Sequence, residues 1–262
     1  PKPPLVSLRG GLSHLTARLA EELGPETVLT GALTRGIDRR ADGSWTVLTD
    51  DRILPATQVV LATPAYVAAD LLGDLLPNAA ELLRGIEYVD VANVTLAFRR
   101  EDVPALRPGT GFLVPPAEGE LIVGCSWLSQ KWPQPDDDLV LVKCMVGRAG
   151  DRRWLRMDDD ELERHVREAL SRILGIRADP VDRLVQRWPG AMPQYTVGHA
   201  ARLAALDAEL ATLPGLTVTG AAYRGVGLAG CVAQAEATAA RIVPEPGEPG
   251  EPTEPLQQGA SA

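Results

Sequence analysis

The chain has 262 residues, 45% of them hydrophobic, with a formal net charge of −9. That length suits one large or two modest domains, and the acidic balance argues against a nucleic-acid partner, which would need clustered cations. Lysine occurs only at Lys2, Lys131 and Lys143, with arginine in its place elsewhere. The three cysteines, Cys125, Cys144 and Cys231, are odd in number and form no C-x-x-C. Neither a disulfide frame nor a zinc site follows from them, and a reducing cytoplasm is the default. No apolar run approaches the roughly 18 residues of a spanning helix, and no signal peptide is visible. The first residue is Pro1 rather than methionine, which raises the expectation of a longer natural protein.

In chain order, residues 1–10 read as loop. Gly10-Gly11 then opens a helix with Leu12, Leu15, Leu19 and Leu23 on one face, ended by Gly24-Pro25. Thr27 to Asp50 alternates as strands do, with Asp42-Gly43 as a hairpin turn. Gln58 to Ala62 is continuously apolar, as a strand covered on both faces would be, and Thr63-Pro64 stops it. A helix follows from about Ala65 to Arg84, interrupted near Gly73 and Pro77.

A β-rich block comes next. Val89, Val91, Val94, Leu96 and Phe98 fall in one long strand, residues 111–115 and 120–126 pair as a hairpin, and Asp138 to Val146 is a further strand. Asp158-Asp159-Asp160 opens an amphipathic helix with Leu162, Val166, Leu170 and Ile173 inward. Adjacent helical carboxylates do not converge on a metal, so they are read as helix-start residues. Arg183 to Trp188 reads as a strand, His199 to Leu213 as a helix and residues 244–262 as a disordered tail.

The most informative segment is Leu216 to Ile242. An apolar strand enters Gly225-Val226-Gly227-Leu228-Ala229-Gly230, a literal G-x-G-x-x-G, and a helix of small residues follows. Such a turn lets a flat or anionic ligand touch backbone, and the helix behind it offers free N–H groups and partial positive charge. A dinucleotide fingerprint proper needs a βαβ unit and a ribose-binding acid about 20 residues on. Here the helix runs instead into Pro244-Glu245-Pro246. The segment is therefore either a bland strand–turn–helix or the last element of a cofactor domain.

Four stretches carry a family resemblance: Gly10-Gly11-Leu12, Ser129 to Pro133 (SQKWP), Trp188 to His199 (WPGAMPQYTVGH) and Gly220 to Gly227 (GAAYRGVG). Over roughly residues 5–243 the chain resembles the C-terminal half of FAD-dependent protoporphyrinogen/coproporphyrinogen oxidases. The resemblance implies an α/β fold: an incomplete amine-oxidase-like FAD/NAD(P)-binding domain with an inserted α+β substrate domain. Residues 5–64 and 214–243 would belong to the FAD part, residues 65–213 to the substrate part and residues 244–262 to the tail. It implies FAD as cofactor, a porphyrinogen as substrate, O2 as electron acceptor with hydrogen peroxide as product, and no metal. The family's N-terminal βαβ is missing from this sequence, so a missing N-terminal half or a homo-oligomer is the expected partner. The expected location is the cytoplasm, with a peripheral membrane position as its variant.

Position by position, the resemblance puts Leu33 in a strand that contacts adenine through its backbone, with Ile37 following, and Thr63 at the end of the strand nearest the cofactor. Trp188 matches an aromatic beside the flavin. Gly220, Gly225, Val226, Gly227 and Leu228 form the turn under the ring, where a Cβ at Gly225 or Gly227 would hold the ring off the backbone. Lys131, Tyr195 and Arg224 are the substrate candidates, with Arg224 facing either a propionate or a surface carboxylate. His199 is read as a helix cap, and no residue stands out as catalytic base. The resemblance favours coproporphyrinogen over protoporphyrinogen, because the small soluble branch of the family often takes it; the arginine-rich composition is compatible with its extra carboxylates but does not decide between them. Two other readings stand beside this one: another amine-oxidase-type flavoprotein, such as an amine oxidase or carotenoid desaturase relative, and a cofactor-free remnant or subunit completed by a partner chain.

Overall fold

The leucine spacing near the N-terminus does form a helix, α1 (Ser13–Leu23), closed by Gly24 at φ +80°. The computed structural model describes residues 7–106, 108–132 and 138–242; Pro133 and the tail from residue 244 lie outside them. After α1 the chain runs irregularly to Leu33, so the expected strand begins at Thr34, not Thr27. β1 (Thr34–Arg39), β2 (Trp45–Thr49) and β3 (Ile53–Ala56) form an antiparallel meander. The Asp42 carboxylate accepts the Ser44 N–H and hydroxyl at the expected turn, with Gly43 at φ +85°. β4 (Val59–Leu61) is followed by α2 (Ala65–Leu72) and α3 (Pro77–Arg84), the interruption falling where Gly73 and Pro77 place it. Next come β5 (Tyr88–Arg99), β6 (Gly111–Leu113), β7 (Ile122–Trp127), the single-turn α4 (Leu128–Lys131) and β8 (Leu139–Val146). α5 (Asp159–Leu174), β9 (Asp182–Pro193), α6 (His199–Ala211), β10 (Leu216–Val218) and α7 (Leu228–Ile242) complete the order.

These elements sort into two compact units. One takes in the chain up to Leu33 with Ile86–Val197; the other takes in Thr34–Gly85 and the chain from Gly198 on. The first is built on a five-stranded antiparallel sheet ordered β6-β7-β8-β5-β9. Alternation sends Val94, Leu96 and Phe98 of β5 and Val142, Cys144 and Val146 of β8 to one face. α5 covers that face with Leu162, Val166, Ala169 and Leu170. Each Val, Leu or Phe side chain among these contributes about 1.5–3 kcal/mol on burial. The Asp158 carboxylate accepts the Glu161 N–H at 2.8 Å, so the aspartate run does begin the helix by capping it. Gly175, left-handed at φ +72°, ends it. α1 buries none of its residues, and its leucine face is open.

In the second unit β10 pairs in parallel with β4, with Leu216 opposite Val59 and Val218 opposite Leu61. α2, α3 and α6 count with these strands rather than with the five-stranded sheet. Ala79, Ala80 and Leu83 of α3 and Leu203 and Leu206 of α6 are buried. Trp45 is fully buried, its indole so close to Gly215 that a Cβ there would stand 2.7 Å from Nε1. That glycine also sits at φ +87° and opens the way into β10. No helix among the described residues is long and apolar enough to cross a membrane.

Candidate cofactor-binding turn

Parallel pairing brings the carboxyl ends of β4 and β10 to the same edge. The Thr219 N–H donates to the Leu61 carbonyl at 3.0 Å. Past that point the chain departs as Ala62-Thr63-Pro64 from one strand and as Gly220 from the other. Gly220 lies at φ +127°, and a Cβ there would be 3.9 Å from the Ala62 carbonyl oxygen, so the two loops are neighbours. In open α/β sheets ligands bind in the crevice outside such strand ends. Thr63 Oγ1 is buried there with no hydrogen-bond partner among the described residues. An unmet hydroxyl costs about 1–3 kcal/mol and suits a site completed by a ligand.

The glycine-rich turn divides its glycines between two tasks. A Cβ on Gly225 would lie 3.2 Å from Gly230 Cα, and one on Gly230 would lie 3.2 Å from Gly225 Cα. These two are glycine because the loop folds down onto the first turn of α7. At Gly225 the missing side chain makes room for protein backbone. Gly227 is different, since a Cβ there meets nothing within 4 Å. It is flanked by the exposed Val226 and Leu228. The Cys231 N–H donates to the Gly227 carbonyl at 3.0 Å and closes the first turn of α7, so the helix start, with its partial positive charge, lies at Gly227.

Gln234, which the sequence reading passed over, fixes this arrangement. Its Oε1 accepts the Arg224 N–H at 3.0 Å, and its Nε2 donates to the carbonyls of Gly225 at 3.3 Å and Gly230 at 3.1 Å. A glutamine at the seventh position of a helix carries no sequence signal for that role. His199 is also reassigned. It stands at the first position of α6, one residue past the N-cap residue Gly198. Its buried ring instead bonds through Nε2 to the Tyr223 carbonyl at 2.9 Å. Arg224 directs its guanidinium at Asp207, the carboxylate of the two alternatives.

The remaining candidates belong to the other unit. Trp188 does not end a strand, because β9 continues to Pro193; it lies opposite Val91 and is 47% exposed. Lys131 closes α4, with Nζ 5.6 Å from the Trp132 ring centroid. Tyr195 follows β9 and is exposed. Leu33 is neither in a strand nor buried; it precedes β1 and is 53% exposed, while Ile37 takes the buried position. Thr63, Gly220, Gly225, Val226, Gly227 and Leu228 thus fall in one unit with Arg224, and Leu33, Lys131, Trp188 and Tyr195 in the other. Among the described residues no group of His, Cys, Asp and Glu could hold a metal ion.

A sequence model described as flavin containing amine oxidoreductase matches residues 3–243. The chain belongs to this family. Membership implies a flavin cofactor, and the open backbone at Gly227 with the α7 N-terminus fits a flat ring with an electron-rich edge. Over 233 residues the chain is 31% identical to a coproporphyrinogen III oxidase of Bacillus subtilis (strain 168), covering 88% of this chain and 49% of that protein. A protoporphyrinogen oxidase of Bos taurus is 32% identical over 249 residues, with 90% and 51% covered. Among solved structures, an Exiguobacterium sp. 255-15 protein to which protoporphyrinogen oxidase activity has been ascribed is 32% identical, with a TM-score of 0.81 over 92% of this chain and 53% of that one. The chain therefore spans about half the length of the relatives it matches. The mixed α/β fold is that of the amine-oxidase type.

Proposed function

We propose that this chain supplies the cofactor turn and the substrate sheet of an FAD-dependent porphyrinogen oxidase. Coproporphyrinogen III or protoporphyrinogen IX would be oxidised to its porphyrin, a step of haem biosynthesis in the cytoplasm. The observation that carries the reading is the uncovered Gly227 backbone at the start of α7, set past the carboxyl ends of two parallel strands. Flavin supplies hydride acceptance when bound. Six electrons leave the porphyrinogen in three two-electron rounds, and three O2 become three hydrogen peroxide. The chain's own part is to seat and tune: the backbone at Val226, Gly227 and Leu228 lets the ring lie close, and the helix start favours its anionic reduced form. Thr63 Oγ1 is a further candidate contact to the cofactor.

The half-length match also implies that more protein takes part. β10 pairs with β4 on one side only among the described residues. Beside it lies a cleft of about 670 Å³ lined by Leu210, Leu216, Val218, Thr219, Ala237 and Arg241, among others. An added strand from the remainder of the flavin domain, in the same polypeptide or a second one, suits that edge. The test is to purify the chain alone and joined with the missing half taken from a porphyrinogen oxidase relative. Bound FAD, oxygen uptake and fluorescent porphyrin from coproporphyrinogen in the joined form are expected. A joined form that binds FAD and oxidises amines but leaves porphyrinogens untouched would overturn the substrate assignment.

A further inference from the structure

The five-stranded sheet has a second face, opposite α5, and Lys143 stands at its centre. β8 is the middle strand, and Lys143 pairs across to Ser126 of β7 and Thr95 of β5. Paired residues share a face, and the alternate residues Val142 and Cys144 lie in the core beneath α5. The neighbouring row runs through all five strands as Leu113, Gly124, Met145, Asn93 and Gln186. A Cβ on Gly124 would stand 2.8 Å from the Phe112 carbonyl oxygen and 3.0 Å from the ends of the Leu113 and Met145 side chains, which close over it. Two residues further along, Trp188 sits on the same face opposite Val91.

This face mixes the apolar Leu113, Met145, Leu184 and Trp188 with the uncharged polar Asn93, Thr95, Ser126 and Gln186, and its other charged residues, Arg99 and Asp182, lie two register positions or more from Lys143, toward the far ends of β5 and β9. Leu113 is 80% exposed and Leu184 61%. Lys143 is half-buried. Among the described residues it forms no ion pair, although this chain pairs most of its sheet and α5 arginines with carboxylates. The acid on this face, Asp182, sits opposite Ala97 at the far end of β9 and accepts the Arg183 N–H. A partly desolvated cation without a counter-charge is unfavourable unless a ligand brings one.

We infer that Lys143 binds a carboxylate of a flat, largely apolar polycarboxylate laid on this sheet face, and so acts as a specificity-determining residue. The inference rests on the porphyrinogen reading and deepens it, since the ring would lie on the Leu, Met and Trp surface while one propionate meets Nζ. Ser126 donates its own hydroxyl to the Thr110 carbonyl at 3.2 Å, which keeps that side chain turned to the protein and leaves the ammonium as the charged contact. Added carboxylates on the ligand would then tighten binding, favouring a tetracarboxylate over a dicarboxylate.

The test is a tryptophan-fluorescence titration of the wild-type chain, Lys143→Met and Lys143→Arg with coproporphyrin III and with its uncharged tetramethyl ester. Expected are roughly tenfold weaker coproporphyrin binding by Lys143→Met, the size of one lost charge-assisted contact, near-native binding by Lys143→Arg, and ester binding equal in all three. Equal ester binding also shows that the variants keep their fold. Undiminished coproporphyrin binding by Lys143→Met, or an equal loss for the ester, overturns the role of Lys143 and leaves the oxidase reading standing. No binding of either porphyrin by the wild-type chain overturns the substrate class itself, and this inference with it.

Discussion

The imidazole of His199 is bonded through Nε2 to the Tyr223 carbonyl at 2.9 Å, tying the start of α6 to the turn that leads into α7. Both residues are buried. Because a carbonyl only accepts, Nε2 carries the proton. His199→Ala removes the donor and with it one buried hydrogen bond, a cost of about 0.5–1.5 kcal/mol. Urea denaturation should show a lower midpoint with an unchanged slope. A stability equal to wild type would mean that the bond does not hold the turn.

The two kinds of glycine in the turn predict opposite phenotypes. Gly225→Ala and Gly230→Ala each force a methyl into facing backbone, and Gly225 also lies at φ +147°. Both variants should lose stability, by about 1–3 kcal/mol. Gly227→Ala meets no protein atom. It should unfold like wild type and yet hold flavin less tightly in the joined form, read by the FAD retained after gel filtration. Normal flavin content in Gly227→Ala would remove the ring from this position.

The cysteines differ in reactivity. Cys125 and Cys144 face each other across β7 and β8, buried and reduced. The Cys144 thiol is pushed well above its usual range by its hydrogen bond to Cys125 and by burial. Cys231 is partly exposed at the start of α7. Ellman's reagent at pH 8 should therefore find Cys231 quickly and reach the other pair only in denaturant. Fast modification of all three in the native protein would contradict the packing around β8.

Asp42, Asp51 and Asp151 all have carboxyls held below the ordinary range, and of these Asp151 is the one that is partly buried. Its carboxyl is held below the ordinary range, chiefly by the side-chain hydrogen bond from Arg153. A lowered folded value stabilises the fold above the unfolded carboxylate pKa, and that contribution disappears as pH falls through the lowered value. Arg153→Ala should flatten this limb of the stability–pH curve below about pH 4, the ordinary carboxylate value. A limb of unchanged steepness would assign it to other carboxylates.

Much of this architecture was legible from periodicity and punctuation. The α5 stripe from Leu162 to Leu170, the break between Leu72 and Pro77, and the Asp42-Gly43 turn each follow from local chemistry. Harder to read was anything that depends on distant pairing. Leu33 looked like a strand residue because the segment alternates, yet the ladder with β2 begins only at Thr34. The alternation in Leu139–Val146 announces a strand but cannot say which face is covered; that needs the register with Thr95 and Ser126. The glycine motif was visible as a string, whereas the division of labour between Gly225 and Gly227 depends on how closely α7 returns to the loop.

The pairing of β5 with β9 joins Ala92 to Arg187. A ribosome adding about 5–20 residues per second exposes β5 for some 5–20 seconds before its last neighbour emerges. During that interval an apolar ribbon with an open border hangs from the nascent chain, so soluble yield should depend on synthesis speed and on holding chaperones more than on the strength of the finished core.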